Sequence, residues 1–266
     1  MVASVEILRR AAAGSIAPAD DLLAREEPLE IRVRGRSVAV TMRTPGHDQE
    51  LVAGFLLTEQ VISTAAHLKD ITPCRGSSQP ENILNVMLAD DADVDFARLS
   101  RHVFATSSCG VCGKASIQAI QQQFGPVDSS LRISSRTLLQ MPARMSREQR
   151  AFAETGGLHA AAIFDSSGKC IVLREDVGRH NAVDKVIGYG LLNKAFPFDS
   201  HVLLVSGRAS FEIMQKALAA RVPIVCAVSA PSSLAVEFAE ANRQTLVGFL
   251  RGEGLNIYCG AERIIA

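Results

Sequence analysis

Two short runs constrain the fold more than anything else in the chain. His201 to Ser206 (HVLLVS) and Pro223 to Ser229 (PIVCAVS) are almost wholly apolar, each about one strand long, and a stretch with helical periodicity from Ser210 to Ala220 separates them. A strand without polar alternation must be covered on both faces, which a sheet flanked by helices provides. The pattern extends in both directions. Ala160 to Asp165 and Cys170 to Arg174 read as strands joined at Ser166-Ser167-Gly168, and Asn181 to Leu192 reads as a helix. Ser232 caps a helix through Asn242, and Thr245 to Phe249 and Leu255 to Tyr258 close the sheet. The fold class expected is α/β, with a three-layer α/β/α domain over residues 145–266.

The first half of the chain patterns differently. Residues 1–27 are Ala-rich and charged and read as a loosely ordered lead-in. Residues 28–144 read as a smaller N-terminal α+β region that could pack with the α/β domain as one unit. Within it, Glu30 to Met42 alternates about Gly35 and predicts a β-hairpin. Thr44 to Asp48 is a turn with Asp48 as the cap of a helix, Asn82 to Ala89 is a strand, and Asp95 to Arg101 is a short helix. A helical pattern follows the cysteine loop through Phe124. Residues 125–144 read as irregular, and Arg147 to Glu154 as a helix ending at Gly156-Gly157.

Composition excludes several classes. With 28 basic and 28 acidic residues among 266, the chain lacks the cationic excess that a duplex nucleic-acid binder needs. Trp is absent and Tyr occurs twice, leaving little aromatic surface for stacking on single-stranded bases. No apolar run is long enough to span a bilayer, and Glu6 interrupts an N-terminus that does not read as a secretory signal. A soluble, cytoplasmic protein without a membrane or nucleic-acid partner is expected, its cysteines kept as thiols.

Five segments carry the chemical content. Cys109-Gly-Val-Cys112 lies in a loop of small residues, with Lys114 close by and a helical pattern beginning at its second cysteine. A thiolate is favoured at a helix start or near a cation. The pair alone is compatible with sulfur or redox chemistry, with half a zinc site, or with two inert thiols; no second CxxC or HxxxH pair is present to complete a zinc site. Arg174 to Asn181 (REDVGRHN) stands where a strand ends and a helix begins, which places Arg179 and His180 at a ligand crevice or in a solvated turn. Paired glycines precede His159, an acid, base or donor to an anion if it is not structural. Ser206-Gly207-Arg208-Ala209-Ser210 joins an apolar strand to a helix. The backbone N–H groups there, with Arg208 and Ser210, suit a phosphate or carboxylate, while ordinary capping also accounts for the serine. Ser229 to Ser232 repeats the arrangement after the next strand, and two such turns on one sheet edge favour a nucleotide-sized ligand. Finally, Phe249-Leu250-Arg251-Gly252-Glu253-Gly254 places an arginine in a glycine-bearing turn, able to clamp a phosphate or stack on a base.

Read together and in order, SSCGVCG, TGGLHAAAIF, REDVGRHNAVDKVIG, SGRASFEIMQKA and TLVGFLRGEGLNIY resemble the formate dehydrogenase accessory sulfurtransferase (FdhD) family, from about Glu30 to the C-terminus. The resemblance implies a cytidine deaminase-like fold and a homodimer. It implies transfer of persulfide sulfur from a cysteine desulfurase to the molybdenum bis(molybdopterin guanine dinucleotide) cofactor, bound as cargo and needed for formate dehydrogenase activity. Cys109 takes the persulfide-bearing position, Cys112 that of the second loop cysteine, and Phe249 to Gly254 the cofactor-binding stretch. The deaminase zinc signature is absent, because Ala160 and Ala161 follow His159 and the CxxC precedes it. The alternative reading is a non-enzymatic cofactor chaperone whose cysteines are structural or redox-active; a zinc-dependent hydrolase is a third class.

Overall fold

The computed structural model describes residues 1–12, 14–76, 79–96 and 124–266. Cys109 and Cys112 lie outside the described residues, as do nearly all of the helices expected over Asp95 to Arg101 and up to Phe124. The chain opens with an antiparallel hairpin, β1 (Val2–Arg10) and β2 (Ile16–Ala24). This corrects the expectation of a loosely ordered lead-in. Composition misleads there because paired backbone, not burial, holds the hairpin: most of its side chains are exposed.

A four-stranded sheet follows, built from β3 (Glu27–Val33), β4 (Arg36–Arg43), β5 (Leu68–Pro73) and β6 (Ile83–Leu88) in the order β4-β3-β6-β5. Arg34 and Gly35 both take positive φ in the two-residue turn between β3 and β4. Leu29, Ile31 and Val33 face inward, while Glu30 and Arg32 pair on the other face. Helix α1 (Asp48–Thr58) has His47 rather than Asp48 at its cap. The Asp48 carboxylate is taken up by Arg43, at 3.1 and 3.0 Å, so it braces the preceding strand.

After β7 (Ile133–Ser134) comes α2 (Ser135–Glu148), where the sequence reads as irregular. Pro142 obscures the helix, but Leu138, Met141 and Met145 form its buried stripe and Ser134 caps it by accepting from the Thr137 N–H. The boundary expected at residue 144 therefore cuts a helix that packs on the C-terminal sheet. Helix α3 (Arg150–Thr155) stops at Gly156, whose φ is 66°.

The central sheet uses β8 (His159–Phe164), β9 (Cys170–Asp176), β10 (Val202–Val205), β11 (Ile224–Ala227), β12 (Thr245–Arg251) and β13 (Gly254–Cys259). Helices α4 (Arg179–Leu192), α5 (Phe211–Ala219) and α6 (Ser233–Ala241) lie between them in sequence, and β14 (Ile264–Ile265) pairs with β7. The order is β13-β12-β11-β10-β8-β9, with β10, β11 and β12 mutually parallel. Leu203, Val205, Val225 and Ala227 enter one core with α4, α5 and α6; Val202, Leu204, Ile224 and Cys226 enter a second core with α2. The fold is α/β, with helices on both faces of the sheet. No helix among the described residues is long and apolar enough to cross a membrane.

The first core runs without a break from Leu29 and Ile31 to Leu203 and Val225, so the N-terminal region and the α/β region share it. Helices α1 and α4 touch backbone to backbone. A Cβ on Gly54 would stand 1.9 Å from the Asp184 carbonyl oxygen, and one on Gly188 would stand 1.8 Å from that of Glu50. Beside this crossing the buried Lys216 ammonium meets Asp184, Thr58 and Glu59. Burial opposes its charge, but the Asp184 and Glu59 carboxylates outweigh that and hold its pKa above the usual lysine range.

Candidate functional site at the carboxyl edge of the parallel strands

Because β10, β11 and β12 are parallel, their carboxyl ends lie along one edge, the usual place for a ligand in such a sheet. Strand β8 runs against β10, so its first residue, His159, joins that edge. The turns after the strands are tied together. Ser206 donates from its N–H to the Ala160 carbonyl and accepts on Oγ from the Ala160 N–H, both at 2.9 Å. Ser232 donates to the Ala209 carbonyl at 3.0 Å, and Phe249 to that of Ser229 at 3.1 Å. Gly207 lies beside His159 and Arg179, a Cβ there standing at van der Waals distance, 3.4 Å, from His159 Nδ1. His159, Ser206 to Ser210, Ser229 and Phe249 thus form one continuous rim.

Arg179 and His180 open α4 behind this rim, and a buried network sets their turn. The Asp176 carboxylate accepts from the Gly178 N–H at 2.8 Å, Asn181 Nδ2 at 3.0 Å and the Thr44 N–H at 3.1 Å. It also faces the Lys185 ammonium at 2.7 Å, both side chains being fully buried. Lys185 donates in turn to the Thr44 carbonyl. Nothing in the sequence alone links Thr44 to Asp176. The other charges of this segment are structural as well. Arg174 pairs with Glu50, while Glu175 accepts from the N–H groups of Ala151 and Phe152 and so caps α3.

What remains is suited to an anion. Arg179 Nε and Ser210 Oγ are shielded from solvent and have no hydrogen-bond partner among the described residues, a rare condition for buried polar atoms. Ser210 stands at the cap of α5 without making a side-chain cap bond, whereas Ser232 accepts from the Ala235 N–H. His180 Nε2 lies 2.8 Å from the Glu212 carboxylate. That contact, with burial opposing it and Arg179 and Lys216 assisting, holds the Glu212 carboxyl below its usual range. Burial, and then the charges of Arg179 and His180, push the His159 pKa below the ordinary imidazole value. Glu212 is a member of the site that sequence reasoning missed; its one sequence signal is its place two residues after Ser210.

The Phe249 to Gly254 stretch divides. Phe249 takes a left-handed φ of 51°, a strained position for a non-glycine residue. The Arg251 guanidinium lies 5.5 Å from its ring centroid. Gly252, Glu253 and Gly254 are exposed at the tip of the β12–β13 hairpin, and Arg208 is exposed on its own turn. Leu250 corrects the expectation of a binding side chain: strand alternation sends it into the second core, fully buried.

Burial raises the thiol pKa of Cys170 to about 11, and it pushes up those of Cys226 and Cys259 too. No cluster of three or more His, Cys, Asp or Glu suited to a metal ion occurs among the described residues.

The sequence profile of the FdhD/NarQ family matches residues 24–265. A protein of Streptomyces coelicolor named "Sulfur carrier protein FdhD" is 47% identical over 258 residues, covering 94% of this chain and 92% of its own. A protein of the same name from Mycobacterium tuberculosis is 48% identical over 266 residues, covering 97% and 96%. Another, from Sulfurisphaera tokodaii, is 42% identical over 249 residues, covering 92% of each. Among solved structures, that of a candidate formate dehydrogenase accessory protein from Desulfotalea psychrophila superposes with a TM-score of 0.80 over 99% of both chains at 24% identity, a likeness of fold.

Proposed function

The chain belongs to the FdhD/NarQ family, and from that premise we propose that it is a sulfur carrier that also binds the cofactor it modifies. In this reading a cysteine desulfurase is the sulfur donor and the molybdenum bis(molybdopterin guanine dinucleotide) cofactor is the cargo. Formate dehydrogenase is the recipient, and the carrier works as a cytoplasmic homodimer. The relatives named as sulfur carriers, matched across nearly the whole chain, support the sulfur chemistry. The observation that carries cargo binding is the pair Arg179 Nε and Ser210 Oγ at the carboxyl edge, without a hydrogen-bond partner among the described residues.

The chemistry follows thiol–disulfide rules. The Cys109 thiolate attacks the terminal sulfur of the donor persulfide, the donor S–S bond breaks, and the donor cysteine leaves as thiolate. Cys109 then holds the extra sulfur as its own persulfide, with Cys112 as the second thiol of the loop. The carboxyl edge holds the cargo's phosphates, through Arg179, Ser210, Arg208 and the N–H groups that begin α5 and α6. Arg251 and Phe249 offer a flat cationic and aromatic surface to a guanine base.

Mass spectrometry after incubation with a cysteine desulfurase and cysteine tests the transfer. The expected result is a gain of one sulfur that Cys109→Ala abolishes. A wild-type chain that binds GDP yet never gains sulfur would make it a non-enzymatic chaperone, and zinc bound in stoichiometric amount would point to a hydrolase. Calorimetry with GDP tests the edge: Arg208→Ala and Arg251→Ala each weaken binding, and unchanged affinity removes that arginine from the site.

A further inference from the structure

Strand β9 ends the six-stranded sheet and, among the described residues, pairs with β8 alone. A bare strand edge presents unpaired N–H and C=O groups, which folded proteins usually blunt or cover. Here the edge opens onto a cavity of about 680 Å³. Four consecutive strand residues, Ile171 to Arg174, line it, and Arg147 and Arg150 overhang it from the junction of α2 and α3. The Leu173 carbonyl on this strand is met at 2.8 Å by the side chain of Arg174, not by another strand.

The charges around the cavity are unequally engaged. Arg174 is neutralised by Glu50 and lies over the Tyr189 ring, which also faces the cavity. His47 is likewise 3.5 Å from Glu50. Arg147 and Arg150 are exposed and have no carboxylate partner among the described residues, and Glu148 is the one acid lining the cavity. An open strand edge with two free guanidinium groups beside it matches the requirements of strand addition. Main-chain bonds supply the affinity, and flanking side chains choose the partner.

We propose that the free edge of β9 is a docking site for an extended acidic segment of a partner protein. The segment adds a strand beside Ile171 to Arg174, roughly 13 Å of pairing for four residues, and sets its carboxylates against Arg147 and Arg150. A second copy of this chain fits less well, because a two-fold axis at the edge would bring the same two arginines toward each other. The site is separate from the rim that carries Ser210, so it stands or falls independently of cargo binding at that rim.

The test uses the full chain and a fluorescein-labelled octapeptide of alternating Glu and Val, read by fluorescence anisotropy at low salt. The proposal expects saturable binding and slowed amide exchange at residues 171–174. Binding weakens by at least about tenfold for the Arg147→Glu/Arg150→Glu double variant, and as much for a probe N-methylated at alternate amides, which cannot complete the ladder. Equal binding of the N-methylated probe would show charge attraction without strand addition and overturn the proposal. So would equal binding of a Lys/Val octapeptide, or no binding of the Glu/Val probe. Protection at 171–174 that grows with protein concentration without peptide would overturn it in favour of a second copy.

Discussion

At the scale of single residues, the site separates groups that hold the turn from groups left free to meet a ligand. Asp176 is saturated by four partners, while Arg179, three residues later, has a buried nitrogen with none among the described residues. His159 reports on this environment. Its folded pKa lies below the ordinary 6.5, through burial first and then the neighbouring positive charges of Arg179 and His180. The unfolded chain therefore takes up this proton first as pH falls. The contribution of His159 to stability is unchanged well above pH 6.5 and declines as pH drops through 6.5 toward the folded value. An NMR titration is expected to place its midpoint below 6.5 and to show it rising when GDP binds, because an anion offsets the cationic field. A midpoint that GDP leaves unmoved would put the ligand elsewhere.

At the scale of elements, α5 and α6 are a matched pair with different caps. Ser232 closes its helix, while Ser210 occupies the same position and makes no side-chain cap bond, its hydroxyl having no partner among the described residues. Ser232→Ala is expected to cost about 1 kcal/mol in urea unfolding. Ser210→Ala should change stability by less than about 0.5 kcal/mol, yet weaken GDP binding. A stability loss at Ser210 equal to that at Ser232 would make it an ordinary cap. The apolar strands β10 and β11 and the helices between them were legible because their burial is written into consecutive residues. Helix α2 was not, since Pro142 reads locally as a breaker, and the stripe of Leu138, Met141 and Met145 acquires its meaning only against the sheet it covers.

At the scale of the whole molecule, one core joins the N-terminal sheet to the α/β layers across a glycine-mediated helix crossing. The expected consequence is a single cooperative unfolding transition, coincident by fluorescence and circular dichroism, rather than one for each half. Gly54→Ala should destabilise the fold by about 1–3 kcal/mol or more and so move that transition to lower denaturant, because the added carbon meets the Asp184 carbonyl of a packed helix. A separate early transition for residues 27–96 would show that the shared core does not couple the two halves.

The sequence by itself determined the α/β class, the position of most central strands and helices, and the gathering of small polar turns after two of the strands. Those features depend on neighbours within a few residues, where periodicity and turn chemistry act. Tertiary structure alone decided which of the candidate groups are spent and which are free. Arg174 and Glu175 are consumed by Glu50 and by α3, Leu250 by the core, and Asp176 by Thr44 and Lys185, leaving Arg179 Nε and Ser210 Oγ without a partner among the described residues. The reason is physical: whether a polar group is satisfied depends on partners distant in sequence, more than a hundred residues away for Arg174 with Glu50 and Asp176 with Thr44, whose arrival at bonding distance is a property of the packed chain and of no local pattern.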